Sequence, residues 1–159
     1  MIVTNFLDVC VEQGRAFEIS GELTITAGGT IKLLGRSGEG RTHLANFFVR
    51  SEQGPLSIKI LEGVTVTDAG TPVSAINRNR NSTTTPNTTP YALPTTSGGD
   101  IIYQSAVHEV GGGAHIQGGE SEMPGMIILK DNTDYTFEIT NNNAADTQIS
   151  YSILWWEEE

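Results

Sequence analysis

Apolar residues recur with a period of two along most of the chain. Phe17, Ile19, Gly21, Leu23 and Ile25 alternate with Glu18, Ser20, Glu22 and Thr24, the pattern of a strand with one dry and one wet face. Ala27-Gly28-Gly29 predicts a turn, and Thr30 to Leu34 its partner strand. Leu44 to Arg50 reads as a third strand with apolar residues on both faces, and Leu56, Ile58 and Ile60 mark a fourth. Val64 to Thr67 and Thr71 to Ile76 flank Asp68-Ala69-Gly70, a short hairpin signal. Later, Ile101, Tyr103, Ser105 and Val107 form one row of a strand, and Met126 to Leu129 is apolar. Asp134 to Thr140 alternates strictly, with Tyr135, Phe137 and Ile139 on one face. After a turn at Asn141 to Asp146, the row Ile149, Tyr151, Ile153 and Trp155 closes what reads as the clearest hairpin of the chain.

About eight to ten short strands with turn signals between them predict an all-β fold, an antiparallel β-sandwich of jelly-roll-like type. One domain over residues 1–159 suffices for this length. No sustained helical stripe competes; Met1 to Glu12 reads as a short helix or an extended arm, within a possible N-terminal arm over 1–16. From Asn77 to Asp100 the alternation stops. Pro86, Pro90 and Pro94 recur every four residues in a Thr- and Asn-rich stretch. Such spacing disfavours helix and sheet interior and predicts one long extended loop.

Charge narrows the function. Nine Lys and Arg stand against 19 Asp and Glu, a formal net charge of −10. Nucleic-acid binding, which rests on cations neutralising phosphates, is not expected. No apolar run approaches the ~20 residues of a membrane span. Asp8 and Glu12 lie where a secretory signal would carry neither. Asn81-Ser82-Thr83 and Asn87-Thr88-Thr89 then read as by-products of composition, not glycosylation sites. Cys10 is the only cysteine, so no intrachain disulfide forms.

Motifs that would carry chemistry fall short. Gly35-Arg36-Ser37-Gly38-Glu39-Gly40-Arg41-Thr42 resembles a phosphate-binding loop but has Arg41 for the lysine and no helix pattern after it. It reads as a glycine-rich hairpin loop. His108 and Glu109 point to opposite faces of a regular strand, and His108 and His115 lack a third ligand at a recognisable spacing. No metal site and no cofactor are expected. Cys10, between Val9 and Val11, reads as a small buried hydrophobe. Glu120, Glu122 and Glu157-Glu158-Glu159 read as solvated charge. No catalytic residue is assigned, and the chain is not read as an enzyme.

Two features point to interaction instead. Asn77, Arg78, Asn79, Arg80 and Asn81 alternate amides with guanidinium groups at the mouth of the long segment. The two arginines serve either a partner's carboxylates or salt bridges within the domain. Trp155-Trp156 ends the last strand. Adjacent rings face opposite ways, so Trp155 is expected inside with Ile153. Trp156 is expected partly exposed or at an interface, the alternative being that it covers a sheet edge. Tyr91 is the one aromatic residue of the long segment and joins the candidate partner-binding residues.

The string VTVTDAGTPVSAINRNRNSTTTPNTTPY, the Gly-rich GGGAHIQGGESE, and IILKDNTDYTFEITNNNAADTQISYSILWWEEE together resemble a group of tailed-bacteriophage structural proteins. The resemblance runs from Phe17 to Glu159. It implies a capsid decoration, or cement, protein on the outer surface of the virion shell, made in the bacterial host cytoplasm. The implied partners are the major capsid protein and further copies of the chain, as a dimer or trimer. The family implies no catalytic residues. The rival reading is a tail or head-fibre accessory that binds host glycans, and a third is a small β-fold enzyme with a pocket of perturbed titratable groups.

Overall fold

The computed structural model describes residues 6–108, 120–122 (backbone only) and 125–158 of the chain. A short helix, α1 (Phe6–Glu12), precedes β1 (Ala16–Ile25), β2 (Thr30–Arg36), β3 (Thr42–Ser51), β4 (Leu56–Glu62) and β5 (Thr65–Asp68). Then come β6 (Thr71–Pro72), β7 (Ile76–Asn77), β8 (Thr89–Ala92), β9 (Thr95–Ser97) and β10 (Asp100–Val107). Last are β11 (Glu120–Glu122), β12 (Ile127–Leu129), β13 (Asp134–Asn141) and β14 (Thr147–Glu157).

The strands form two packed antiparallel sheets and a small ribbon, an all-β sandwich. The first sheet runs β11-β3-β14-β1-β7, with β12 also on β3; the second runs β10-β4-β13-β2-β8-β6; the ribbon is β5-β9. The expected strands therefore exist, except that Thr71 to Ile76 is split into β6 and β7 in different sheets, and none of the expected hairpins forms. β1 pairs with β14 and β7, while β2 pairs with β13 and β8. β13 and β14 lie in opposite sheets, and β5 and β6 pair with β9 and β8. Among the described residues, no ladder joins strands that are neighbours in sequence. Alternation reports which face of a strand is dry; it carries no information on which strand lies alongside.

The crossing pattern puts the two apolar rows of β13 and β14 face to face instead of side by side. Phe17, Ile19 and Ile25 (β1), Phe47 and Val49 (β3) and Ile149, Ile153 and Trp155 (β14) meet Leu33, Ile58, Ile60, Phe137 and Ile139 of the other sheet. Phe47 and Phe137 join the layers edge to face, with ring centroids 5.1 Å apart. The register of β3 on β14 shifts between Leu154 and Trp155, where Ala45 is the extra residue. This bulge keeps both Leu44 and Phe47 inside. It explains why β3 looked apolar on both faces.

The segment from Asn77 to Asp100 is extended but not a free loop. β8 adds to the second sheet, with Tyr91 opposite Leu34. Pro90 and Pro94 are buried. β5-β9 lies against the second sheet's outer face. There Lys32 donates to the Thr96 carbonyl at 3.2 Å, and Thr136 Oγ1 donates to Thr96 Oγ1 at 3.3 Å. Proline lacks only the N–H, and Pro90 lies opposite Gly35 of β2 at the end of β8, where β6 pairs only with Tyr91 and Ala92. The outward side chains of β2 and β13 supply the rest of the packing.

The far end of the second sheet holds a polar knot. Tyr135, fully buried, donates its hydroxyl to Glu62 Oε2 at 2.8 Å and accepts the Lys130 backbone N–H at 2.7 Å. Burial pushes the Tyr135 phenol up. The Lys130 ammonium, bonded to Glu62, and the Tyr135 hydroxyl hold the Glu62 carboxyl below its ordinary value. In acid the unfolded chain therefore binds the proton first. The stabilisation is fully present above the unfolded pKa and is lost as pH falls through the lowered one. Urea melts of Glu62→Gln between pH ~5 and ~3 are expected to show a flatter loss of stability than the parent protein. Parallel curves would remove Glu62 from the acid response.

Candidate partner-binding surface

The alternation of Asn77 to Asn81 has a structural meaning. The asparagines turn to the chain's own backbone and the arginines turn out. Asn77, buried, donates from Nδ2 to the Gly14 carbonyl at 2.8 Å and the Thr84 carbonyl at 3.0 Å. Its Oδ1 accepts the Asn79 N–H at 2.9 Å, and Asn79 Oδ1 accepts the Asn81 N–H at 3.1 Å. These local side-chain turns fix an irregular backbone without a ladder. Asn79 Nδ2 also reaches the Glu12 carbonyl at the end of α1, at 3.0 Å.

The two arginines differ. Arg78 pairs with Glu18 Oε2 at 2.5 Å, and Ser152 Oγ donates to the other Glu18 oxygen at 2.8 Å. Its charge is taken up inside the domain. Arg80 is exposed and has no ion-pair partner among the described residues. Of the predicted positive patch, the side chain left for a partner is Arg80. Exposed Ile76 lies on the adjoining strand.

Trp156 departs from expectation. Trp155 is in the core beside Ile153, as the alternation predicts. Trp156 faces outward yet is only 3% exposed, because α1 packs over it. Cys10 and Ala16, both fully buried, complete this second small cluster. Phe6 meets the indole edge-on at 4.9 Å, and His43 stacks on it at 3.5 Å with the rings 6° from parallel. Outward orientation predicts solvent only where nothing crosses that face, and the N-terminal segment does. Residues 6–12 are thus no free arm.

Tyr91 is half-buried on the second sheet, with the Arg36 guanidinium carbon 6.0 Å from its ring centroid. The structure therefore brings Asn77 to Asn81 and Trp156 to one corner of the first sheet, separated by β1, and leaves Tyr91 elsewhere.

Glu157 departs from the expectation of solvated charge. Glu157 is 7% exposed and accepts the backbone N–H groups of Asn87 (2.7 Å) and Thr88 (2.8 Å) and the Trp155 indole N–H (3.1 Å). Glu158 bonds His43 Nε2 at 3.1 Å and pairs with Arg41 at 3.7 Å. Glu159 lies outside the described residues, as do Glu109 and His115, and of Glu120 and Glu122 only the backbone is described. His108 is exposed just past β10. Among the described residues no group of three or more His, Cys, Asp or Glu is placed to hold a metal ion.

The glycine-rich stretch after β2 links the two sheets and is not a hairpin loop. Arg36 donates to both oxygens of Asp134, at 2.7 and 3.2 Å, and Ser37 Oγ donates to the Lys130 carbonyl at 2.6 Å. Both groups are committed to the fold and do not line up on a phosphate. Beside them lies an open polar cleft of about 280 Å³. Another, of about 430 Å³, is lined by Glu62, Gly63, Gly99, Asp100, Lys130 and Thr133. A cavity inside the sandwich, next to Trp155 and Phe137, measures about 20 Å³. That is room for one water molecule at most. No protein-family model matches the chain, and no curated protein matches it.

Proposed function

We propose that the chain is a tailed-bacteriophage capsid decoration protein that binds the outer surface of the shell through the Asn77–Asn81 corner, as a homo-oligomer. The observation that carries the binding surface is the pre-ordered loop. Its asparagines hold the backbone, so Arg80 meets a partner without the entropy cost of folding a disordered arm. The interleaved strand order, β1-β14-β3-β11 in one sheet and β2-β13-β4-β10 in the other, supports reading the sandwich as a jelly roll. The family assignment itself rests on the resemblance of the sequence.

Deleting residues 77 to 96 is not a usable test, because β8 and buried Pro90 belong to the sandwich. Arg80→Glu is. It leaves the domain's hydrogen bonds intact and should weaken binding to undecorated capsids about tenfold, with the thermal midpoint unchanged. Equal binding by the variant removes the loop from the contact. Quantitative mass spectrometry of virions tests the whole reading: hundreds of copies per particle, in simple ratio to the major capsid protein, support it. A handful of copies favours the rival, glycan recognition from the tail or fibres. One observation speaks for that rival: the 430 Å³ cleft converges Glu62, Asp100, Lys130 and Thr133, groups that hydrogen-bond a polyol. Glycan-array binding lost in Lys130→Ala would establish it.

A further inference from the structure

We propose that Asn77 and Asn79 form a latch that keeps α1 closed over Trp156, making α1 a hinged cover on the sandwich. The helix has seven residues, too few to persist in water on its own. Its state is decided by what it rests on. It rests on one small cluster, Cys10 and the half-buried Leu7 and Val11 against Trp156, Ala16 and Ala45.

The hinge is the turn between α1 and β1. There the Gly14 N–H donates to the Val11 carbonyl and the Arg15 N–H to the Cys10 carbonyl, both at 2.9 Å. Two side chains from far along the chain seize this turn. Asn77 Nδ2 holds the Gly14 carbonyl at 2.8 Å, and Asn79 Nδ2 holds the Glu12 carbonyl at 3.0 Å. Ser82 packs against Gly14 so closely that no side chain fits there. Both latch amides are themselves oriented, because their oxygens accept the N–H groups of Asn79 and Asn81. The loop and the end of α1 are one hydrogen-bonded unit, so a displacement of either is felt by the other.

The closed arrangement also carries a cost. His43, stacked on Trp156 and 4% exposed, bonds Glu158 through Nε2, while its Nδ1 is buried with no hydrogen-bond partner among the described residues. An opening that admits water satisfies that nitrogen. Contact at Arg80 and exposure of the Trp156 face are therefore linked, whichever partner the loop takes.

Cys10 reads the cover directly, since it is the only cysteine, lies on α1 and is fully buried when α1 is closed. The experiment is its alkylation by iodoacetamide in the native full-length chain. The rate should rise about fivefold in Asn79→Ala, the weight of one hydrogen bond, with the urea midpoint lowered by no more than that same hydrogen bond accounts for. Asn77→Ala should exceed it, and Asn81→Ala, whose side chain makes no hydrogen bond to α1 among the described residues, should match the parent. A second measurement needs no variant. The parent's alkylation rate should depend weakly on low urea, as for a local opening. Alkylation with the full urea dependence of global unfolding, or an unchanged rate in Asn79→Ala, would overturn the latch.

Discussion

Replacing Glu157 with alanine is expected to lower the unfolding free energy by about 4 kcal/mol and the thermal midpoint by about 10 °C. Three donors converge on this carboxylate: the Asn87 and Thr88 N–H groups and the Trp155 indole N–H. Thr88 and Trp155 are buried, so they have no ready substitute in water. The Glu157 backbone N–H in turn donates to the Arg15 carbonyl at 3.0 Å. One residue thus ties the end of β14 to the core, to the entry of β8 and to the start of β1. Glu157→Gln keeps one acceptor oxygen and should cost about half as much. Urea titration of both variants decides it. An alanine variant within about 1 kcal/mol of the parent means that the three donors find other partners.

Gly70→Ala is expected to cost about 3 kcal/mol. Gly70 has φ +81°, and an added Cβ would overlap the Ala92 carbonyl oxygen and lie 2.9 Å from the Leu93 carbonyl carbon. Both neighbours are backbone, and Ala92 is pinned between β2 and β6. Neither can swing aside as a side chain would. Gly28 is the control, with φ +67° and nothing within 4 Å of an added Cβ. Gly28→Ala should cost only the left-handed backbone term, about 1 kcal/mol. Equal losses at the two sites would show that close approach at Gly70 is not what demands glycine there.

The candidate surface was legible in part. The Asn77–Asn81 pattern reads as a contact for a partner, and in the structure its alternation separates inward amides from outward guanidiniums. That Arg78 is neutralised and Arg80 is not depended on Glu18. Glu18 is distant in sequence and reaches Arg78 only because β7 pairs with β1. The burial of Trp156 was out of reach for the same reason. Nothing in Trp155-Trp156 announces that a helix from the other end of the chain crosses it. Glu157 gave no signal either, since a run of three glutamates at the end of a chain has the appearance of solvated charge. Its two backbone donors come from a segment brought alongside by β8 on β2.

Most of the strands and their dry faces are written in the order of residues, because the side-chain period of an extended chain is local. The same order places Phe137, Ile153 and Trp155 inside and makes Cys10 a buried thiol without a partner for a disulfide. Which strands are neighbours is settled by the packed fold and not by local pattern. The turns read as hairpins between β1 and β2 and between β13 and β14 carry the chain across to the opposite sheet, and the one after β5 leads from the ribbon into the second sheet. Pairing depends on backbone hydrogen bonds between segments far apart in the chain. Those bonds are nearly indifferent to side-chain identity, so their pattern leaves little trace in any local stretch of residues.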